Sequence, residues 1–139
     1  MSQCIPAAQL QQQIVNIIRM AGSEAAEAEQ VAANLVMANL SGHDSHGVGM
    51  VPRYVDAVLE GGLNPNTGVK VVLDTGPLLN LDGQRGYGQI TGVQAMQMAL
   101  NVPSNTACAR WHSAARTTWD ALVTLPRWQW HKAWCPFIL

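Results

Sequence analysis

Two histidines, an aspartate and a serine fall at four consecutive positions, His43-Asp44-Ser45-His46, with Gly42, Gly47 and Gly49 around them. Three kinds of chemistry use such residues. A metal site is the first, because His43 and His46 stand three apart with Asp44 between them. A metal needs three or four ligands, and the other two histidines, His112 and His131, lie far along the chain, so no metal is expected. Nucleophilic catalysis is the second. Asp44, Ser45 and His46 are chain neighbours, and adjacent side chains do not easily line up as orienter, base and nucleophile. The third leaves two readings open. The segment is either a capped loop between helices, with His43 or Asp44 bonding local backbone, or a loop that forms part of an active site.

A second candidate is Gly86-x-Gly88-x-x-x-Gly92, between a strand pattern and a helix pattern. A dinucleotide fingerprint would use such glycines to bring backbone close to a pyrophosphate at a helix N-terminus. The spacing here is one residue too long, and the sequence shows no βαβ unit around it. A turn with a tight helix start is expected instead.

The elements that must position these residues follow from periodicity. Leu10, Ile14, Ile17 and Ile18 recur at helical spacing and predict a helix over about 7–20, ended by Ala21-Gly22. Ser23 is a natural N-cap for a second helix, with Ala28, Val31, Ala32, Leu35 and Val36 on one face and a stop at Ser41-Gly42. After the glycine-rich loop, Pro52 suits a first helical turn. Val51, Tyr54, Val55, Val58 and Leu59 then form a stripe closed by Gly61-Gly62. Asn64, Pro65, Asn66 and Gly68 are turn material. Short strands are expected at 69–73 and 78–81, separated by Thr75-Gly76-Pro77, and a last helix at about 89–100. The order is helix, helix, helix, strand, strand, helix.

Composition bounds the rest. At 139 residues the chain fits one domain or a piece of a larger one, and a hydrophobic content of 48% is ample for a core. A net charge of −1 gives no electrostatic case for nucleic acid or an anionic membrane, so neither partner is expected. Cys4, Cys108 and Cys135 are odd in number and widely spaced, which supports neither a disulfide framework nor a zinc site. No apolar run approaches ~18 residues, and no basic-then-apolar leader opens the chain. A cytoplasmic protein is expected.

GHDSHGVGMVPRYV (residues 42–55), then Gly61-Gly62, Asn64-Pro65 and LNLDGQRGYGQITGVQAM (residues 79–96), closely resemble the malate/L-lactate dehydrogenase family. These are NAD(P)-dependent 2-hydroxyacid oxidoreductases unrelated to the Rossmann-type lactate dehydrogenases. The resemblance covers about residues 7–100. It is nearest the hydroxycarboxylate dehydrogenase branch, where GHDSHG is followed by a glycine and a methionine, as in Gly49-Met50. It implies a mixed α/β fold, in which a helical N-terminal segment, short strands and a helix form the first part of a larger fold. It implies NAD or NADP as cofactor, a small 2-hydroxy/2-keto acid as substrate, and a homodimer for the full-length family. It further implies that Ser45 and His46 line the substrate pocket, with His46 donating to the substrate carboxylate or hydroxyl. Many relatives carry arginine where Met50 stands.

The chain changes character after Leu100. All twelve glycines lie at or before Gly92, all five tryptophans at or after Trp111, and eight of nine acidic residues precede Leu100. The family continues into a strand and a segment resembling HHLGRIGH, whose histidine serves as acid/base during hydride transfer. Nothing like it stands here in the frame as read. Codons for Arg116 to Thr124, RTTWDALVT, read one nucleotide earlier, permit HHLGRIGH. The same shift carried back through NVPSNTACARWHSAA permits ERAKQHGVCAVALRS. Two positions are forced by the code, a glycine at Asp120 and a valine at Cys135, and both agree. Residues 101–139 are therefore expected to be an out-of-frame, poorly structured tail, and the family's catalytic histidine is lost with the frame. Two other readings of the tail are a divergent extension and a binding module using its Trp-rich, basic end. With their partners gone, Val71, Leu73, Leu79 and Leu81 are expected to stay partly open.

Overall fold

The computed structural model describes residues 4–75, 78–101 and 108–112, the last group by its backbone. The fold is mixed helix and strand, as the sequence predicts, and divides into two compact units at Asn66/Thr67. The first unit holds α1 (Ala7–Met20), α2 (Ala25–Leu40), two short 3-10 turns (Asp44–His46 and Val48–Met50) and α3 (Val51–Leu59). The second holds β1 (Lys70–Asp74), β2 (Leu78–Asp82), α4 (Gly88–Leu100) and β3 (Cys108–His112).

In the first unit α1 packs on α2. Their apolar faces meet through Ile14, Val15 and Ile18 on one helix and Ala28, Val31, Ala32, Leu35 and Val36 on the other. Ile17, expected in the core, is 42% exposed. At 100° per residue the face centred on Ile14, Val15 and Ile18 leaves Ile17 on its margin. Val51 and Tyr54 are the buried residues of α3, with Pro52 in its first turn as predicted, while Leu59 ends the stripe in solvent.

All three helices of this unit stop in the same way. At the end of α2, Gly42 takes a φ of +79° and donates to Asn39 O, and His43 N–H reaches back to Ala38 O. A left-handed residue followed by this pair of bonds is a Schellman motif, and glycine is the residue that adopts it without a Cβ penalty. The ends at Gly22 and Gly61 repeat the pattern. This corrects the role given to Ser23. Its N–H donates to Ile18 O, so it completes the termination of α1, and the N-cap of α2 is Glu24. Capping is supplied from a distance: Asn66 Oδ1 accepts from Glu24 N–H at 2.7 Å.

The sheet of the second unit runs β1-β2-β3, with β1 antiparallel and β3 parallel to β2. Register pairs Val71 with Leu81 and Asp74 with Leu79, and an irregularity between Val71 and Leu73 leaves Val72 out of the pairing. Leu79 and Leu81, two apart and therefore on one face, pack with Ala95 of α4 and with Val69. The expectation that they stay open is wrong for these two, because α4 covers their face; they are 4% and 1% exposed. It holds for Val71 and Leu73 on the edge strand, both 45% exposed.

The third strand is absent from the sequence-derived order. Leu78 to Asp82 pair in register with Cys108 to His112, so β2, α4 and β3 form a βαβ unit. Five of the residues assigned to a poorly structured tail thus extend the sheet. At residues 102–107 and 113–139 that assignment falls outside the described residues. Among the described residues no helix is long and apolar enough to cross a membrane.

Candidate functional site

The glycine-rich loop lies between α2 and α3, and its path is held by a short network of hydrogen bonds. His46 N–H donates to His43 O, Gly47 N–H to Asp44 O and Met50 N–H to Gly47 O, which winds the segment into its two 3-10 turns. Asn39, on the last turn of α2, reaches over the loop. Its Nδ2 donates to Asp44 Oδ1 at 2.6 Å, and its Oδ1 accepts from Val48 N–H at 2.7 Å. The sequence reading offered Asp44 local backbone as a partner. The structure gives it the Asn39 carboxamide instead.

Ser45 and His46, the two residues singled out from the sequence, lie side by side. Ser45 Oγ is 2.9 Å from His46 Nδ1. With the serine hydroxyl donating to Nδ1, the neutral imidazole carries its proton on Nε2, which makes Nε2–H the free donor. Ser45 is exposed and His46 half-buried, so the pair is reachable from solvent. The arrangement differs from a Ser-His-Asp triad because Asp44 is engaged by Asn39, away from its role as orienter. Met50 stands at the N-cap of α3, half-buried, and Arg53 follows three residues later, exposed. Among the described residues no group of three or more His, Cys, Asp or Glu side chains is placed to hold a metal ion.

The second candidate, Gly86-x-Gly88-x-x-x-Gly92, does sit in a βαβ unit, contrary to the sequence reading, since β2 and β3 flank α4. Its details still oppose a dinucleotide cradle. Gly83 to Gly86 form a tight turn closed by Gly86 N–H to Gly83 O at 2.8 Å, with Gln84 and Arg85 at φ of 51° and 60°. A Cβ on Gly86 would lie 2.8 Å from both Thr67 O and Thr91 Cγ2. The glycine therefore makes room for the protein's own packing. Tyr87, Gly88 and Gln89 at the start of α4 are all buried, whereas a pyrophosphate needs that N-terminus open. This turn therefore does not fit the pyrophosphate of a nicotinamide dinucleotide.

The sequence reading missed Asn39. Its signal was present only as a polar residue at a helix end, five residues before Asp44, which periodicity cannot tell from a solvated position.

Comparison with known proteins gives these observations a setting. The malate/L-lactate dehydrogenase family matches residues 5–119. Hydroxycarboxylate dehydrogenase B of Escherichia coli strain K12 is 44% identical over 84 residues, which are 60% of this chain and 23% of that protein. Malate dehydrogenase of Pyrococcus abyssi is 37% identical over 102 residues, 73% of this chain and 28% of that one. The solved malate dehydrogenase of Pyrococcus horikoshii OT3 superimposes with a TM-score of 0.69 at 31% identity, over 88% of this chain and 37% of that one. The chain spans about a quarter of the length of the curated relatives it matches.

Proposed function

The chain belongs to the malate/L-lactate dehydrogenase family, and on that premise we propose that its GHDSHG loop is the substrate-facing wall of a 2-hydroxyacid dehydrogenase. In the whole enzyme, NAD or NADP would supply or take the hydride, and a small 2-hydroxy/2-keto acid of the malate or lactate type would be the substrate facing this loop. The observation that carries this reading is the Ser45–His46 contact at 2.9 Å on a solvent-reachable loop. Where the Ser45 hydroxyl donates to Nδ1 in that contact, His46 Nε2–H is a donor for a substrate carboxylate or hydroxyl oxygen. A bond of that charge-assisted kind contributes about 1.5–3 kcal/mol.

We further propose that residues 101–139 are read out of frame and that this chain by itself lacks the family's acid/base histidine. The composition break at Leu100 and the permitted HHLGRIGH support that reading. So does the place of β3: Cys108–His112 occupies the positions where the shifted reading gives VCAVA, an apolar run suited to a covered parallel strand. The experiment is to restore the frame at Leu100 and assay oxidation of L-malate and L-lactate with NAD and NADP. Activity in the restored protein, reduced about tenfold or more by His46→Ala, is the expected result. A restored, folded and active protein indifferent to His46→Ala would remove His46 from the site.

A further inference from the structure

We infer that Asn39 is a positioning residue of the loop: its single carboxamide sets where Ser45 and His46 stand, and Gly47 is glycine to leave that carboxamide its place. The inference rests on the substrate-wall reading for its purpose, but its geometry stands without it.

The two bonds of Asn39 bracket the functional pair. Asp44 lies just before Ser45 and Val48 just after Gly47, and both are tied to the same side chain. Their demands are opposite. Asp44 offers a carboxylate oxygen and needs a donor, whereas Val48 offers an N–H and needs an acceptor. A carboxamide is the short, neutral group that presents both at once, and the two bonds fix which end is oxygen and which nitrogen. The bond to Asp44 is charge-assisted, hence its short 2.6 Å length.

Gly47 supplies independent support. Its φ of −94° lies outside the left-handed region, so positive φ is not what requires glycine there. Room is one requirement. A Cβ there would overlap Asn39 Oδ1 and lie 2.5 Å from Asn39 Cγ. An alanine at 47 must push the Asn39 side chain aside, and any rotation that clears the Cβ breaks both of its bonds. Asn39 and Gly47 thus form one device, in which the side chain at one position occupies the space of the missing side chain at the other.

The test uses the full chain in solution without substrate, so its outcome is separate from whether His46 meets a hydroxyacid. Two signals report the device: the exchange rate of the Val48 amide, and the nitrogen shifts of His46 that reveal a hydrogen-bonded Nδ1. Protection of the Val31 amide shows that α2 remains folded. Asn39→Ala and Gly47→Ala should each speed Val48 exchange about tenfold, the ratio for one hydrogen bond of ~1.4 kcal/mol, and each should change the His46 signature. The double variant Asn39→Ala/Gly47→Ala should be no worse than either single, because the Cβ then has room. Asn39→Asp alone places two carboxylates together and should fail near neutral pH. Adding Asp44→Asn reverses the polarity of that bond, keeps an acceptor for Val48, and should restore both signals. Unchanged Val48 exchange and His46 shifts in Asn39→Ala, additive losses in the Ala/Ala pair, or no rescue by the Asp/Asn swap would each overturn the inference.

Discussion

Both carboxylate oxygens of Glu27 sit on the backbone N–H of Asn66, at 2.9 and 3.0 Å. Glu27 is only 8% exposed, in the first turn of α2. There the helix N-terminus favours its charge, while Asn66 returns the contact by capping Glu24 N–H and donating to Gly22 O at 2.9 Å. A residue 39 positions down the chain thereby closes the corner between α1 and α2. Glu27→Ala removes a charge-assisted acceptor from a closed site and should cost about 1–3 kcal/mol. Urea unfolding followed by helix signal measures it, and Glu27→Gln, which keeps an acceptor, should cost less.

Asn66 carries a second consequence. It holds a φ of 59°, a left-handed conformation that asparagine tolerates better than most residues. Asn66→Ala loses the cap on Glu24 as well as the conformational fit, and should lower stability by about 1–3 kcal/mol. Asn66→Gly keeps the conformation and loses the side-chain bonds, so the difference between the two variants isolates the backbone part. Equal losses in both would show that the conformation contributes nothing.

Gly86→Ala forces a Cβ against a backbone oxygen of Thr67 and the γ-methyl of Thr91, each at 2.8 Å. The backbone oxygen cannot yield as a side chain can, so the variant should be destabilised by about 1–3 kcal/mol. Adding Thr91→Ser removes one of the two clashes and should recover part of the loss. A thermal melt unchanged from the parent chain would show that the turn relaxes freely.

The 139-residue chain should give no NAD(P)H-linked turnover of malate, lactate or related 2-hydroxyacids. Loss of a general base alone costs about 10²–10⁴-fold, and the Gly86 turn makes no dinucleotide cradle. Absorbance of the reduced cofactor measures it. Turnover above a buffer blank, abolished by His46→Ala, would return catalysis to this chain as it stands.

The helices were legible because their signals are local. Apolar spacing located α1 at Ala7–Met20, and the glycines at 22, 42 and 61 marked the stops through their left-handed conformations. Ser23 was misassigned because one residue can serve the end of one helix or the start of the next, and a distant Asn66 decided which. β3 was hidden for a related reason. Its parallel pairing with β2 spans the whole of α4, and its residues Cys108 to His112 lack the alternation that marks a strand. Of the loop, Ser45 and His46 stood out by type, but their contact and the Asn39 clamp are properties of the folded chain.

Whether residues 7–100 make a working substrate wall can be measured in a chimera, without depending on the sequence beyond Leu100. In hydroxycarboxylate dehydrogenase B of Escherichia coli strain K12, which is 44% identical over 84 residues, the matching segment is replaced by this chain's. The kcat/KM for hydroxycarboxylate oxidation is then compared with and without His46→Ala. The expected result is an active chimera in which His46→Ala lowers kcat/KM about tenfold or more, through loss of a contact of ~1.5–3 kcal/mol. A folded, active chimera whose kcat/KM is the same with alanine at position 46 would contradict it.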